Sequence, residues 1–164
     1  MASAKKPIPE GYHAITPQLT LDDAAHAIEW YKKALGAEEL GRSNGPDGKV
    51  MHAELKIGNS RIFVNDPVMD NKGPKAYGGS PASLWLYVED CDALFKRAVT
   101  AGAQVRMPVD NQFWGDRMGA FVDPHGYSWS VATRKEDLTK EEMDHRAQEF
   151  FKAFAKKQPQ PVHT

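Results

Sequence analysis

The sequence predicts an α+β protein in which one supersecondary unit occurs twice. Residues 21–37 and 88–103 follow the same plan: the end of a strand, an Asp, a short amphipathic helix, a glycine near its end and another strand. The flanking segments alternate apolar and polar residues, which is typical of half-buried strands. Two βαβββ units that face each other as half-barrels would enclose a cleft, and we expect the function to lie there.

The first unit is predicted over residues 13–66. Strand 13–20 leads to a helix that begins at Asp22 or Asp23 and ends at Gly36. One face of this helix is apolar and should be buried: Ala24, Ile28, Tyr31 and Leu35. The other strands are predicted near 38–42, 50–57 and 61–65, with turns at 45–48 and 58–59.

The second unit is predicted over residues 82–134, after a linker over 67–81 that is rich in glycine and shows no periodicity. Its helix begins after Asp90 and stops at Gly102. Its last two strands flank the turn at 123–126, where we expect His125 to be solvated. The single cysteine, Cys91, falls on the apolar side of the helix and is predicted to be a buried packing residue.

A further helix, outside the repeat, is predicted over residues 139–156. Thr139 and Glu142 have the spacing of a capping box. Its apolar side is rich in phenylalanine and should be buried on the chain's own sheet or on a partner subunit: Met143, Ala147, Phe150, Phe151 and Phe154. The whole arrangement is then a flexible tail over 1–9, one domain over 10–138, this helix, and a second tail over 157–164.

Composition excludes several classes of function. The formal charge is −1 and the basic residues are scattered, so no nucleic-acid or anionic-membrane surface is predicted. No apolar run approaches the ~20 residues of a membrane span, and the N-terminus lacks the apolar core of a secretion signal. One cysteine excludes an internal disulfide. We expect a cytoplasmic protein.

Residues 28–36 and 123–127, on top of the duplicated plan, resemble the vicinal oxygen chelate superfamily, which contains glyoxalase I, bleomycin-resistance proteins and extradiol dioxygenases. Residues 115–117 and 135–138 resemble its PhnB-like branch. The resemblance implies a glyoxalase-like half-barrel cleft and a homodimer. It leaves the function open, since this superfamily includes enzymes and pure binding proteins.

In the metal-dependent members, the first and last strand of each unit supply His or Glu ligands. The corresponding positions here are predicted to hold Thr16, Phe63, Ser83 and Ser130. Neutral hydroxyls and a phenyl ring do not provide the imidazole, carboxylate or thiolate donors that a divalent metal needs. We therefore expect neither a metal nor another cofactor.

The same faces are predicted to carry the lining of a pocket for a small organic molecule. Aromatic walls with a few polar groups suit an aromatic or cationic ligand, unless these side chains simply fill the barrel. In the loop at 110–117, Trp114 could stack on the ligand while Asp116 or Arg117 pairs with its charge, or the two charged residues could pair with each other. The predicted ligand-binding residues are Thr16, Gln18, Phe63, Asn65, Ser83, Trp85, Tyr87, Trp114, Asp116, Arg117 and Ser130.

His52 and Glu54 lie on one face of one predicted strand, ~7 Å apart by strand geometry. They could act as acid and base, or they could be solvated residues of an exposed hairpin. The leading hypothesis is a metal-independent binding protein that sequesters its ligand. The rival is a lyase, isomerase or epimerase that uses His52 and Glu54, with or without a relocated metal. A third alternative is an interaction role through the C-terminal phenylalanines.

Overall fold

The computed structural model describes residues 6–157 and confirms the α+β class, so the predicted tails lie wholly or partly outside the described residues. The elements of the first unit are β1 (Gln18–Thr20), α1 (Ala24–Leu35), β2 (Glu38–Asn44), β3 (Val50–Ile57) and β4 (Ser60–Asn65). The second unit contains β5 (Ser83–Tyr87), α2 (Cys91–Thr100), β6 (Gln104–Asn111), β7 (Asp116–Val122) and β8 (Ser128–Arg134). Helix α3 (Lys140–Lys157) follows.

The two units form two four-stranded sheets with the same topology. Their strand orders are β1-β4-β3-β2 and β5-β8-β7-β6, with the outer pairs β1/β4 and β5/β8 parallel and the other pairs antiparallel. Gln18 pairs with Phe63 in the first sheet. In the second sheet Trp85 pairs with Ser130, and each of these two residues lies 67 positions after its counterpart in the first sheet. The repeat seen in the sequence is therefore a repeat of register as well as of element order.

Equivalent side chains start the two helices. Asp23 caps α1 by accepting from the backbone N–H of His26 at 3.1 Å, and Asp90 caps α2 by accepting from that of Ala93 at 2.9 Å. Gly36 ends α1 in the left-handed region, at φ 71°. The predicted helix starts and the predicted stop at Gly36 are confirmed.

One hydrophobic core serves both units. Each sheet turns one face toward the helices, and α1 and α2 pack on each other within this core. Two hydrogen bonds join them: the Trp30 indole donates to the carbonyl of Ala101 at 2.7 Å, and Arg97 donates to that of Ala34 at 2.8 Å. Cys91 is buried in this core, as predicted. Because the helix-covered faces are buried here, the opposite face of each sheet is on the outside of the molecule.

The linker between the units is more ordered than its composition predicts. It contains a 3-10 helix, Pro74–Tyr77, whose first residue is buried. Gly126, in the β7–β8 turn, allows this contact: a Cβ there would lie 3.1 Å from the ring of Pro74 and 3.4 Å from the side chain of Lys75. The linker is thereby held against the second sheet.

Helix α3 begins with the predicted capping box. Glu142 accepts from the backbone N–H of Thr139 at 2.9 Å, and the Thr139 hydroxyl accepts from that of Glu142 at 3.2 Å. Its phenylalanines are not buried on the chain's own sheet: Phe151 is 60% exposed and contacts Phe113 of the β6–β7 loop, with ring centroids 6.0 Å apart. No helix among residues 6–157 is long and apolar enough to cross a membrane.

Candidate ligand-binding site

The outer face of the second sheet carries five of the predicted ligand-binding residues. Alternation along the strands places Ser83, Trp85 and Tyr87 of β5 and Ser130 of β8 on this face, away from α2. Trp85 and Tyr87 are 47% and 58% exposed, and their ring centroids lie 6.2 Å apart. Two large aromatic side chains thus stand side by side on a surface open to a ligand.

Asp116, the first residue of β7, is buried beside these aromatics. Its Oδ2 accepts hydrogen bonds from the Tyr87 hydroxyl at 2.8 Å and from the Trp114 indole N–H at 3.1 Å. Its Oδ1 is buried without a hydrogen-bond partner within the described residues. We call Trp85, Tyr87, Trp114 and Asp116 the Asp116 cluster. The hydrogen bond to Asp116 raises the pKa of Tyr87, with a contribution from burial.

Arg117, predicted in the same site, lies on the opposite face of β7. Because neighbouring residues of a strand alternate in direction, its side chain points toward α2. There it makes two 2.7 Å hydrogen bonds to Asp92, and this interaction lowers the pKa of Asp92. The structure therefore brings Asp116 but not Arg117 to the aromatic face. The two do not pair with each other, because Arg117 is occupied by the helix.

The outer face of the first sheet holds a separate group. Asn65 is 4% exposed; its Oδ1 accepts from Gln18 at 2.9 Å and its Nδ2 donates to the carbonyl of Asp66 at 2.8 Å. The polar atoms of Asn65 are therefore used within the protein. Phe63 lies on the same face and contacts His52 of β3, with ring centroids 4.8 Å apart.

His52 and Glu54 do come together. Nε2 of His52 lies 3.8 Å from Oε1 of Glu54, and Arg61 NH1 lies 3.7 Å from Oε2. The Tyr12 hydroxyl donates to Glu54, and the Arg61 guanidinium lies 4.5 Å above the Tyr12 ring. Burial, with Glu54 adding to it, raises the pKa of Tyr12. Tyr12 and Arg61 were not predicted in this group; Tyr12 precedes the predicted strand, so no periodicity indicated where its ring would lie.

Thr16 lines two cavities, one beside the first sheet and one beside Trp85 of the second. It lines a cavity of about 570 Å³ together with Glu54 and Phe63 on the first sheet. It also lines a smaller cavity, about 250 Å³, with Trp85 and Trp129 of the second unit. Both cavities are therefore next to the segment that enters β1.

The four positions predicted to correspond to the superfamily's metal ligands carry side chains that do not suit a divalent metal. Thr16, Phe63, Ser83 and Ser130 offer hydroxyls and a phenyl ring, and Ser130 is only 8% exposed. Over residues 6–157, His, Cys, Asp and Glu do not form a group of three or more that could hold a metal ion.

The turn at 123–126 contains a buried polar centre that the sequence did not reveal. Asp123 Oδ1 accepts from the backbone N–H groups of His125 and Tyr127, at 2.9 and 3.0 Å. Its Oδ2 accepts from the Tyr31 hydroxyl and the Trp129 indole N–H, both at 2.8 Å. His125, expected to be solvated, is 7% exposed because this turn folds it against α1. Burial lowers its pKa. Asp123 thus joins the two units.

The sequence model of the Glyoxalase/Bleomycin resistance protein/Dioxygenase superfamily matches residues 13–131, and the chain belongs to this superfamily. An uncharacterized protein of Mycobacterium bovis is 43% identical over 135 residues, which cover 79% of this chain and 89% of that protein.

Two solved structures are informative about the fold. The PhnB protein of Bacillus cereus superposes with a TM-score of 0.61 at 20% identity, covering 74% of this chain and 99% of that one. TnmS3, an antibiotic-binding protein from Streptomyces, superposes with a TM-score of 0.56 at 20% identity, covering 76% and 100%. The predicted superfamily is confirmed, and PhnB is among the proteins that share the fold.

Proposed function

We propose that this protein binds and sequesters a small organic molecule that is aromatic, cationic or both, without the help of a metal. The observation that carries this proposal is the Asp116 cluster. Its buried carboxylate has one oxygen without a hydrogen-bond partner among residues 6–157, and aromatic side chains of an exposed sheet face lie beside it. A buried polar atom without a partner is uncommon in a folded protein, and a ligand that supplies the missing donor would satisfy it.

The chemistry of the cluster favours a ligand with a positive charge. A cation attracted to the faces of Trp85 and Tyr87 gains ~0.5–2 kcal/mol, depending on how far it is desolvated. Ring stacking adds ~1 kcal/mol for each aromatic pair. A protonated amine that reaches Asp116 gains a charge-assisted hydrogen bond as well. The antibiotic-binding activity of TnmS3 supports a binding role for this fold.

We propose further that the protein acts as a cytoplasmic homodimer. The outer faces of the two sheets lie on the outside of a shared core, so one chain alone leaves the Asp116 cluster without an opposite wall. The half-exposed Phe150, Phe151 and Phe154 of α3 are also available to a second copy. Light scattering after size exclusion tests this: the parent chain should be a dimer, and a chain that ends at Leu138 should become monomeric if α3 holds the dimer together.

The binding proposal can be tested with a pair of matched probes. We expect 1-naphthylmethylamine, which is cationic at pH 7.5, to bind by isothermal titration calorimetry at least tenfold more tightly than the neutral 1-naphthalenemethanol. Trp85→Ala should weaken binding of both probes. Asp116→Asn should weaken the amine only.

Asp110→Asn removes the same charge from an exposed position near the end of the neighbouring strand β6 and serves as the control. It should leave the affinity for both probes within twofold. If neither probe binds, or if Asp110→Asn and Asp116→Asn have equal effects, the Asp116 cluster is not the binding site.

The second candidate function is acid–base catalysis, as a lyase, isomerase or epimerase. The contact between His52 and Glu54 favours it, because a carboxylate beside an imidazole can orient it as a base. Elemental analysis of purified protein and turnover assays separate the two functions. Stoichiometric metal, or turnover that His52→Gln abolishes and Trp85→Ala does not, would favour the enzyme.

A further inference from the structure

The outer face of the second sheet has a second cavity, at the end away from Asp116. Its volume is about 750 Å³, and it lies between the linker and the sheet. Two of the lining side chains are basic and none is acidic. The lining includes Lys75, Ser80, Arg106, Val122, Gly126 and Ser128.

A β-bulge brings Arg106 to this cavity. Val105 pairs with Phe121 and Met107 pairs with Ala120, so Arg106 is an extra residue in β6. The side chains of Phe121 and Ala120 point to opposite faces of the sheet. Arg106 therefore falls where the strand changes face, and its side chain joins the lining of the outer cavity. Bulges that redirect a side chain in this way are frequent next to functional sites.

Lys75 is positioned from the other side of the cavity. It belongs to the 3-10 helix of the linker, and the helix is fixed by buried Pro74. The Lys75 side chain passes close to Gly126, where a Cβ would come within 3.4 Å of it. Two basic groups from separate segments thus converge on one cavity because a bulge directs one and a glycine makes room for the other.

Neither basic group is neutralised by a carboxylate. Among the described residues, Arg117, Arg134 and Arg146 each form an ion pair, whereas Lys75 and Arg106 have no Asp or Glu oxygen within 4.0 Å. The hydroxyls of Ser80 and Ser128 add neutral donors to the lining. Two basic side chains without an ion pair among the described residues, together with two hydroxyls, suit the binding of an anion.

We propose that this cavity binds the anionic group of a small organic ligand, namely a phosphate, sulfate or carboxylate. Ser128 of the cavity pairs with Ser83, and Trp85 lies two residues further along β5, ~7 Å away by strand geometry. A ligand whose anionic group occupies the cavity can therefore place an adjoining ring on Trp85. The anion site stands on its own lining; only the use of Trp85 depends on the proposed function.

The test uses inorganic phosphate and phenyl phosphate at pH 7.5 and low ionic strength, measured by isothermal titration calorimetry. We expect both probes to bind. Lys75→Gln and Arg106→Gln should each weaken binding of both about tenfold, because each removes a charge-assisted contact. Lys72→Gln is the matched control, since Lys72 is an exposed lysine of the same linker outside the cavity lining. It should change affinity less than twofold.

Trp85→Ala tests the anion site separately from the aromatic binding face. It should weaken phenyl phosphate and leave inorganic phosphate unchanged. Phenyl sulfate and benzoate, compared with phenyl phosphate, identify which anionic group is preferred. The anion site is overturned if neither phosphate probe binds, or if Lys72→Gln weakens binding as much as Lys75→Gln and Arg106→Gln do. If phosphate binds as expected but Trp85→Ala leaves phenyl phosphate unaffected, the anion site stands and the aromatic binding face does not.

Discussion

The two units share a backbone plan but present different outer faces. The contacts that build the fold recur: Asp66 at the end of β4 accepts from the backbone N–H of Ala24 at 2.9 Å, and Thr133, 67 residues later, accepts from that of Cys91 at 2.9 Å. Different side chains thus perform the same task at the start of equivalent helices. The repeat is maintained where the fold requires it.

On the outer faces the equivalence ends. Gln18 of the first unit is hydrogen-bonded to Asn65, whereas its equivalent in the second unit, Trp85, is half-exposed. The first face is also overlaid by Tyr12, which donates to Glu54. The second face retains the unpartnered oxygen of Asp116. The two units therefore differ in the chemistry of their outer faces, and the proposed binding residues lie on the second.

The largest change in stability is expected when the β7–β8 turn of the second unit is compared with the hairpin turn of the first. Asp123→Ala removes the acceptor of four hydrogen bonds, one of which, from Tyr31, connects α1 to the second sheet. We expect the free energy of unfolding to fall by about 4 kcal/mol. Asn59→Ala, in the exposed hairpin turn of the first unit, should change it by less than about 0.5 kcal/mol. Urea denaturation measures both. Equal losses would show that the second turn has no special part in joining the units.

We expect a smaller loss of stability when the side chains that accept from the first backbone N–H groups of α1 and α2 are removed. Asp66 accepts from two buried backbone N–H groups, those of Ala24 and Val50, while Thr133 accepts from one. Asp66→Ala should therefore destabilise the protein by about 3 kcal/mol and Thr133→Ala by about 1 kcal/mol. Asp66→Asn, which keeps one acceptor, should recover part of the loss. A Thr133→Ala loss as large as that of Asp66→Ala would contradict this account of the two starts.

Much of the fold could be predicted because its signals are local. Asp23, Asp90 and Gly36 act on the backbone within a few residues, and each does what its sequence position indicates. The two units also share one register, which the duplicated pattern in the sequence had indicated. Periodicity and capping therefore fixed the elements and their order.

The site was less predictable because it depends on contacts distant in sequence. Asp116 and Tyr87 are 29 residues apart, and only the sheet brings them together. Strand alternation separates Arg117 from Asp116 although the two are neighbours in sequence. The burial of His125 arises from Asp123 and α1, and no local pattern marks it. The redirection of Arg106 by a bulge is equally invisible in a single sequence.

The next prediction is that the free energy of unfolding depends on pH through His125, in the β7–β8 turn of the second unit. Burial lowers the pKa of His125, and His26 and Lys75 act in the same direction while Asp123 opposes them. The unfolded chain therefore takes up a proton that the folded protein does not. Stability contributed by neutral His125 is complete above its ordinary pKa of ~6.5 and is lost as the pH falls below it, by at most ~1.4 kcal/mol for each pH unit.

Urea denaturation at pH 7.5 and pH 5.5 measures this contribution. His125→Gln should show a smaller loss of stability between the two pH values than the parent chain, because the titrating group is gone. His145→Gln, on the exposed side of α3, should behave like the parent. A parent loss that persists unchanged in His125→Gln would place the pH sensitivity elsewhere.

The smallest effect on stability is expected at Asp116, the carboxylate that we propose for ligand binding. Asp116 and Asp123 are both buried carboxylates, 1% and 3% exposed, but every oxygen of Asp123 is hydrogen-bonded whereas Oδ1 of Asp116 is not. Asp116→Asn removes a buried charge, keeps an acceptor for Tyr87 and Trp114, and should change the free energy of unfolding by less than about 0.5 kcal/mol. Asp123→Asn should destabilise the protein by at least about 2 kcal/mol, because its four donors all lose a charged acceptor.

A large loss in Asp116→Asn would make Asp116 a structural residue like Asp123. A neutral result, together with weaker binding of the cationic probe, is what a carboxylate kept for a ligand requires.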